Sequence, residues 1–510
     1  MTASLFLLLV AIVTVPFSVA FAEGTSKLSH YRSAKRFSKY HECKPPPCEN
    51  PYDFLGLLKI IIATRHLLKK TAIANATELF QKLGETYSSI IFGEKVVFTC
   101  NPLNIKQVLV TRFVDFDSSV VRAHVFRPIT EHGIFAVDGQ EWKAARDVYR
   151  NVFSNTRTIF DVDIQEKHFQ AFLGQIRQIN KPYNLQPLFL NLILDLTTAF
   201  ALGDSVDSLS SSQPSDKKAF VDSLLYVKKT MARDGFLGPV SMLLSRRDFY
   251  HGCEDVKRYV ESYIFASLRK KQHLEGENPD QVENIARRFN LLDELAQDNE
   301  NIVNLRDGVI TVLIAGIDSV AGLLSTTFWL LARHPQTFEK LRESILEHIG
   351  QDPPTYDQLR NFPYLRHVLN EAMRVYPPVP FNARVANKET VLPYGGGPNG
   401  ASNVFIQKGQ KVVFSTWATH RSPRLFGDRA DEFCPERWEH LKGEALGFIP
   451  FNSGPRACPG QQYALMEASY ITVRLLQSFS SVKNCDSRGW REKLGLNLFN
   501  DNGVIVHFEE

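Results

Sequence analysis

Apolar positions recur at helical spacing through most of the region from residue 140 to 380. Val309, Val312, Leu313, Gly316, Val320 and Leu323 fall on one stripe of a helix expected to run to Arg333 and stop before Pro335. Ala464, Ala468, Ile471 and Leu475 mark a second stripe, on a helix opened by Pro459. Between Ile90 and Thr99, β-type residues flank Gly93-Glu94, which predicts a hairpin. Gly395-Gly396-Gly397-Pro398 reads as a turn between extended segments, and Ser208 to Ser215 as an exposed loop. After about residue 70 there is no internal repeat, low-complexity tract or composition break. The expected fold class is mainly α with a minor β component, in a single large domain over residues 53–510.

Leu5 to Ala22 is an uncharged apolar run of 18 residues, just long enough to cross a bilayer as a helix. Lys27, Arg32, Lys35, Arg36 and Lys39 follow it, and no charged side chain precedes it. That asymmetry places the N-terminus in the lumen and the body in the cytosol. Residues 1–22 are therefore expected to be a single-pass signal-anchor in the endoplasmic reticulum membrane, and 23–52 a basic, Pro-rich linker. A cleaved secretory signal is the competing reading, because Ala20-Phe21-Ala22 resembles a cleavage site; the missing basic n-region opposes it. Lys44-Pro45-Pro46-Pro47 is a stiff extended segment that would hold the body at a fixed height above the membrane. Leu57 to Ile62, with Leu67 and Leu68, is too short to span and is rimmed by Arg65, Lys69 and Lys70. It reads either as a surface-lying helix or as an ordinary amphipathic one.

Composition narrows the classes. Hydrophobic residues are 44% and charged residues 22% of 510, ordinary globular usage that excludes a disordered chain, a collagen-like fibre and a polytopic membrane protein. With 59 basic and 55 acidic residues, the net charge of +4 makes no case for a nucleic-acid partner. The seven cysteines are scattered and form no CxxC pair, so neither a disulfide framework nor a zinc site is expected.

One cysteine stands apart. Phe451, Gly454, Arg456, Cys458 and Gly460 have the spacing F-x-x-G-x-R-x-C-x-G. Chance produces this in a chain of this length on the order of once in ten thousand. A cysteine at a helix start sees the positive end of the helix dipole, which favours the thiolate. Gly454 would let the loop approach a flat partner, Gly460 would offer its backbone N–H to the sulfur, and Phe451 would shield it from water. Arg456 supplies a fixed positive charge for an anionic cofactor edge. The competing reading is a structural cysteine in a helix-capping loop.

This pattern resembles the cysteine signature of the cytochrome P-450 haem-thiolate family. The resemblance implies that Cys458 is the axial, metal-binding ligand of the iron of haem b (iron protoporphyrin IX). Glu371-Ala372-Met373-Arg374 is similar to the family's E-x-x-R element, and Pro435-Glu436-Arg437 to its P-E-R element. Glu371, Arg374 and Arg437 are then expected to form a buried structural charge network. Trp142 and Arg146 match a W-x-x-x-R element, which with Arg384 and Arg456 would face the haem propionates. Ala315-Gly316-Ile317-Asp318-Ser319 resembles the family's A-G-x-D-T element. Ala315 and Gly316 would open a groove for oxygen, and Asp318 and Ser319 would relay protons. Serine stands where threonine is usual, so the hydroxyl is kept but the χ1 restraint is lost.

Val385-Ala386-Asn387-Lys388, Leu392-Pro393-Tyr394 and Gly460-Gln461-Gln462 are similar to the fungal alkane and fatty-acid hydroxylase branch. That resemblance implies hydroxylation at or near the end of a long acyl or alkyl chain. It also implies O2 and electrons from NADPH through a separate reductase, docked near Lys143 and Arg150. The substrate pocket is expected to include Phe126, Ile129, Phe135, Val312, Ala315, Val379 and Phe381. Tailoring of a polyketide or terpenoid in secondary metabolism stays open. So do a haem-thiolate isomerase or dehydratase and a non-catalytic membrane haem carrier or sensor.

Overall fold

In a computed structural model, residues 33–179, 181–275, 288–441 and 447–510 are described. The expected anchor at 1–22 lies outside them. Helices dominate, as the periodicity predicts. The central helix Ile302–Leu331 begins at Asn301, whose side chain accepts from Asn304 N–H, and all but its open stretch around Ala315–Ser319 is largely buried. It ends two residues short of the expected Arg333, and Pro335 opens the following helix instead. The cover helix Ser215–Leu237, the helix Arg247–Glu275 and the helix Leu185–Leu202 pack around it. Leu185–Leu202 and Ile302–Leu331 are long and apolar enough to cross a membrane, but both are mostly buried in the body and serve as its core. The helix Gln461–Ser478 completes the larger core, where Ala468, Ile471 and Leu475 pack against Phe328, Leu369 and Met373.

The β component is a five-stranded sheet with order β1 (Thr86–Ile91), β2 (Glu94–Thr99), β8 (Lys411–Ser415), β5 (Phe381–Ala386) and β3 (Phe116–Asp117). β2 and β8 run parallel; the other pairs are antiparallel. The expected hairpin is present, but its turn is Phe92-Gly93, one residue earlier than predicted. Phe92 at φ 52° and Gly93 at φ 76° give the doubly left-handed turn that suits the strand twist. Gly395–Pro398 connects β6 (Thr390–Gly396) to β7 (Ser402–Ile406). Residues 41–49 are strapped along this sheet: Lys44 N–H donates to Asn403 O and Ser88 N–H to Pro47 O, each at 2.8 Å.

One core group makes stability depend on pH. Glu467 on Gln461–Ser478 is 2% exposed, and burial pushes its carboxyl up to about 8 against a hydrogen bond from Gln165. The unfolded chain ionises near the ordinary ~4.3. Between these values the folded state holds a proton that the unfolded state has lost, so stability falls as pH rises and levels off above about 8. Glu467→Gln is expected to flatten the thermal-midpoint profile between about pH 5 and 8 and to raise the midpoint at the upper end. A pH slope equal to that of the wild type would show that Glu467 is ionised in the fold.

Candidate functional site

The cysteine loop is held by its own backbone. Cys458 N–H donates to Phe451 O at 2.9 Å and Ala457 N–H to Gly454 O at 3.0 Å, while Phe451 packs half-buried on the large core. Gly454 has φ +69°, and a Cβ there would sit 2.1 Å from Leu109 O. The close approach that requires glycine is to the backbone of Leu109. The helix starts at Gln461, three residues after Cys458, and a dipole acts mainly within its first turn. Burial pushes the Cys458 thiol up, against the pull of Gly460 N–H and the Arg146 guanidinium. Among the described residues no three His, Cys, Asp or Glu side chains converge as a metal cage. A metal at Cys458 thus has to arrive inside its own ligand ring.

Beside this loop lies an unbalanced cluster of cations. Arg384 on β5 is 2% exposed, and its Nη1 donates to Asn382 Oδ1 at 3.1 Å. Arg122, on the helix Ser119–Phe126, donates to the same oxygen at 2.7 Å. Arg456 pairs with Asp138, donates to Val137 O at 3.3 Å, and lies 4.3 Å over the Trp142 ring. Its Nε is buried and unpartnered. Burial and mutual repulsion lower Arg122 to about 10 and hold Arg384 well below the usual guanidinium range. Three guanidiniums against one contacting carboxylate leave two charges unmatched. A planar group with two carboxylates and a metal at its centre fits this donor set, and haem b is such a group. The Arg146 charge acts on both Cys458 and the Arg456 guanidinium, so it lies between the sulfur and the cation cluster. Arg122 and Asn382 were not anticipated; the only signal was a lone arginine inside the apolar run Val120–Val125.

The expected structural triad forms. Arg374 Nε and Nη2 fork onto Glu371 Oε2 and Oε1 at 2.8 Å each, and Arg437 Nε donates to Oε1 at 3.2 Å. Glu371 also accepts from Cys434 N–H at 2.9 Å and Trp438 Nε1 at 3.0 Å.

On the central helix, Ala315 is exposed and Gly316 half-buried, between the buried Ile314 and Ile317. A Cβ on Gly316 would meet Thr197 Cγ2 at 3.5 Å, an ordinary contact. Asp318 and Ser319 do not hydrogen-bond to each other. Asp318 Oδ1 accepts from Lys228 Nζ of the cover helix at 2.7 Å, with Lys228 buried. Ser319 Oγ donates back to Ala315 O at 2.8 Å. Lys228 had no sequence signal, since it comes from 90 residues upstream.

Of the expected pocket residues, Phe126 and Phe135 meet at 5.0 Å between ring centroids, beside Val312. Ile129 is fully buried in the core with Val125 and Val309, and is packing rather than lining. Val379 and Phe381, at the start of β5, are half-buried. Lys143 and Arg150 are exposed on the helix Gly139–Ser154.

A family model described as Cytochrome P-450 matches residues 46–493. The chain is 33% identical to cytochrome P-450 monooxygenase FPY7 of Fusarium mangiferae, over 95% of this chain and 93% of that protein. It is 35% identical to cytochrome P-450 monooxygenase fsdH of Fusarium heterosporum, over 95% and 86%. It is 34% identical to cytochrome P-450 52A13 of Debaryomyces hansenii, over 94% of each.

Proposed function

From the chain's membership of the cytochrome P-450 family, and so its identity as a haem-dependent monooxygenase, we propose that it hydroxylates a long-chain fatty acid or alkane at or near the chain end. Family members carry haem b and receive electrons from a redox partner. The observation that supports the substrate reading is the apolar group Phe126, Phe135 and Val312, placed beside Ala315 in the open stretch of the central helix. It offers a saturated chain apolar contact, with the one nearby charge, Arg122, lying over the Phe135 ring at 5.6 Å.

When bound, the haem supplies oxygen activation at its iron. Cys458 Sγ would be the protein's bond to that iron. Arg122, Arg384 and Arg456 would hold the two propionates and neutralise themselves in doing so. Lys228 pairs with Asp318 and so ties the cover helix to the central helix above the site. To relay a proton, the Asp318 carboxylate must turn from Lys228 Nζ and take one up from solvent before passing it to Ser319 Oγ, whose own hydrogen must leave Ala315 O and move on toward the site. Lys143 and Arg150 would meet an acidic reductase surface, with NADPH as the electron source. Residues 1–22 would be a single membrane anchor and 23–52 the linker from it, whose residues 41–49 lie along the body, with the body on the cytosolic side of the endoplasmic reticulum.

The test is a series of saturated fatty acids and alkanes with reductase and NADPH, the oxidised carbon being read by mass spectrometry. Product at the terminal or adjacent carbons supports the reading. NADPH-dependent oxidation confined to polyketide or terpenoid scaffolds would move the protein to secondary metabolism, the setting that the same fold also admits. Ser319→Ala is expected to keep NADPH consumption and raise peroxide release several-fold, because the relay hydroxyl is gone. Unchanged coupling would remove Ser319 from proton delivery.

A further inference from the structure

A groove of about 710 Å³ lies away from the cysteine site, between the strap at residues 43–46 and strands β2, β7 and β8. Its lining carries Lys44, Lys95, Lys408 and Lys411 against a single carboxylate, Glu94. Among the described residues none of these lysines makes an ion pair. The helical residues 33–40 sit at its edge through Phe37, 5.8 Å from Phe405, and add exposed Lys35, Arg36 and Lys39. The concavity is rigid. Besides the Lys44 bond already noted, Asn403 Nδ2 donates to His41 O at 2.8 Å and Gly397 N–H to Pro45 O at 3.1 Å.

The rim of the groove is apolar and faces outward. Gly93, which lines the groove, donates its N–H to Leu55 O at 2.9 Å, which joins the hairpin tip to Phe54 and Leu55. Phe54 is 77%, Leu55 62% and Phe92 44% exposed. The adjoining helix Leu57–Lys69 is turned inside out. Lys59 is buried on Glu49 at 2.6 Å, while Leu58 and Ile61 are 60% and 65% exposed. A soluble anion would use the lysines and leave this apolar rim in water. A neutral bilayer would use the rim and leave the lysines unmatched.

We propose that this groove binds the headgroup of an anionic phospholipid, with Phe54, Leu55 and Phe92 entering the acyl boundary beside it. Both halves of the surface are then matched at once: phosphate and carboxylate oxygens by the lysine ammoniums, and apolar side chains by lipid tails. A lysine near an anionic bilayer surface raises lipid association about fivefold. The groove thus selects lipid by charge and sets one orientation of the body on the membrane.

The test uses the full-length haem protein in nanodiscs of phosphatidylcholine alone or mixed with phosphatidylserine, with the photoreactive group on either headgroup. The expected result is headgroup labelling of residues 93–97 and 404–411 by the serine lipid. In the Lys95→Gln/Lys408→Gln variant that labelling should fall about 25-fold, two lysines at about fivefold each. The variant's carbon monoxide spectrum should match the wild type, since both residues are exposed and far from the cysteine loop. Equal labelling by the choline lipid, or undiminished labelling of the variant, would overturn the proposal. So would displacement of the label by inorganic phosphate but not by chloride at equal ionic strength, which would mark a free-anion site. Absence of label from the groove in both discs would leave the surface to a protein partner and equally overturn it.

Discussion

Cys458→Ala is expected to abolish the strongly red-shifted Soret band of the reduced carbon monoxide complex, and with it all NADPH-dependent turnover. The fold should survive. The backbone bond from residue 458 to Phe451 O does not need the side chain. Far-ultraviolet circular dichroism of the variant should therefore match that of the wild-type apoprotein. The loss belongs to one sulfur–iron bond, for which nothing nearby can substitute: among the described residues no other set of metal-ligating side chains converges. A variant retaining the red-shifted band would end the haem-thiolate assignment.

Arg374→Ala is expected to act in the opposite way, through the fold and not the chemistry. Arg374 and Glu371 are both 0% exposed. Besides its fork onto Glu371, Arg374 donates from Nη1 to His420 O at 2.8 Å and from Nη2 to Glu432 O at 2.9 Å. Removing it leaves the buried Glu371 with Arg437 as its one remaining cation and strands the carbonyls it satisfied, which costs about 3–5 kcal/mol. That is a large part of the ~5–15 kcal/mol typical of a whole domain. Urea titration should show the midpoint falling accordingly, and little pigmented protein should be recovered. Arg374→Lys should rescue only in part, because an ammonium cannot fork onto both carboxylate oxygens. An Arg374→Ala variant of wild-type stability would show that the network is not what secures the loop. Comparing the two variants separates holding the haem from holding the protein.

Local chemistry was legible because it is written in short spacings. Cys458, Arg456 and Gly460 lie within one loop, and Glu371 and Arg374 one helical turn apart, so chain geometry alone brings them together. The mainly helical class followed from periodicity, and the hairpin at Phe92-Gly93 from residues that tolerate its turn, within one position. What short spacing leaves unwritten is the partner from a distant segment: Gly454 meets Leu109, and Asp318 pairs with Lys228. Ile129 looked like pocket lining because an apolar side chain carries no mark of which cavity or core it will meet.

Family and helical class are written in the chain itself, because each rests on residue types at fixed short separation. The count of cations around the site comes from the fold, with Arg122 joining Arg384 and Arg456 over one carboxylate. The fold also decides that Asp318 and Ser319 are each engaged elsewhere, and that Lys59 turns inward while Leu58 and Ile61 face out. The physical reason is the same in each case. Electrostatics and burial are sums over whatever surrounds a group, and those neighbours are assembled by packing across the whole chain rather than by spacing along it.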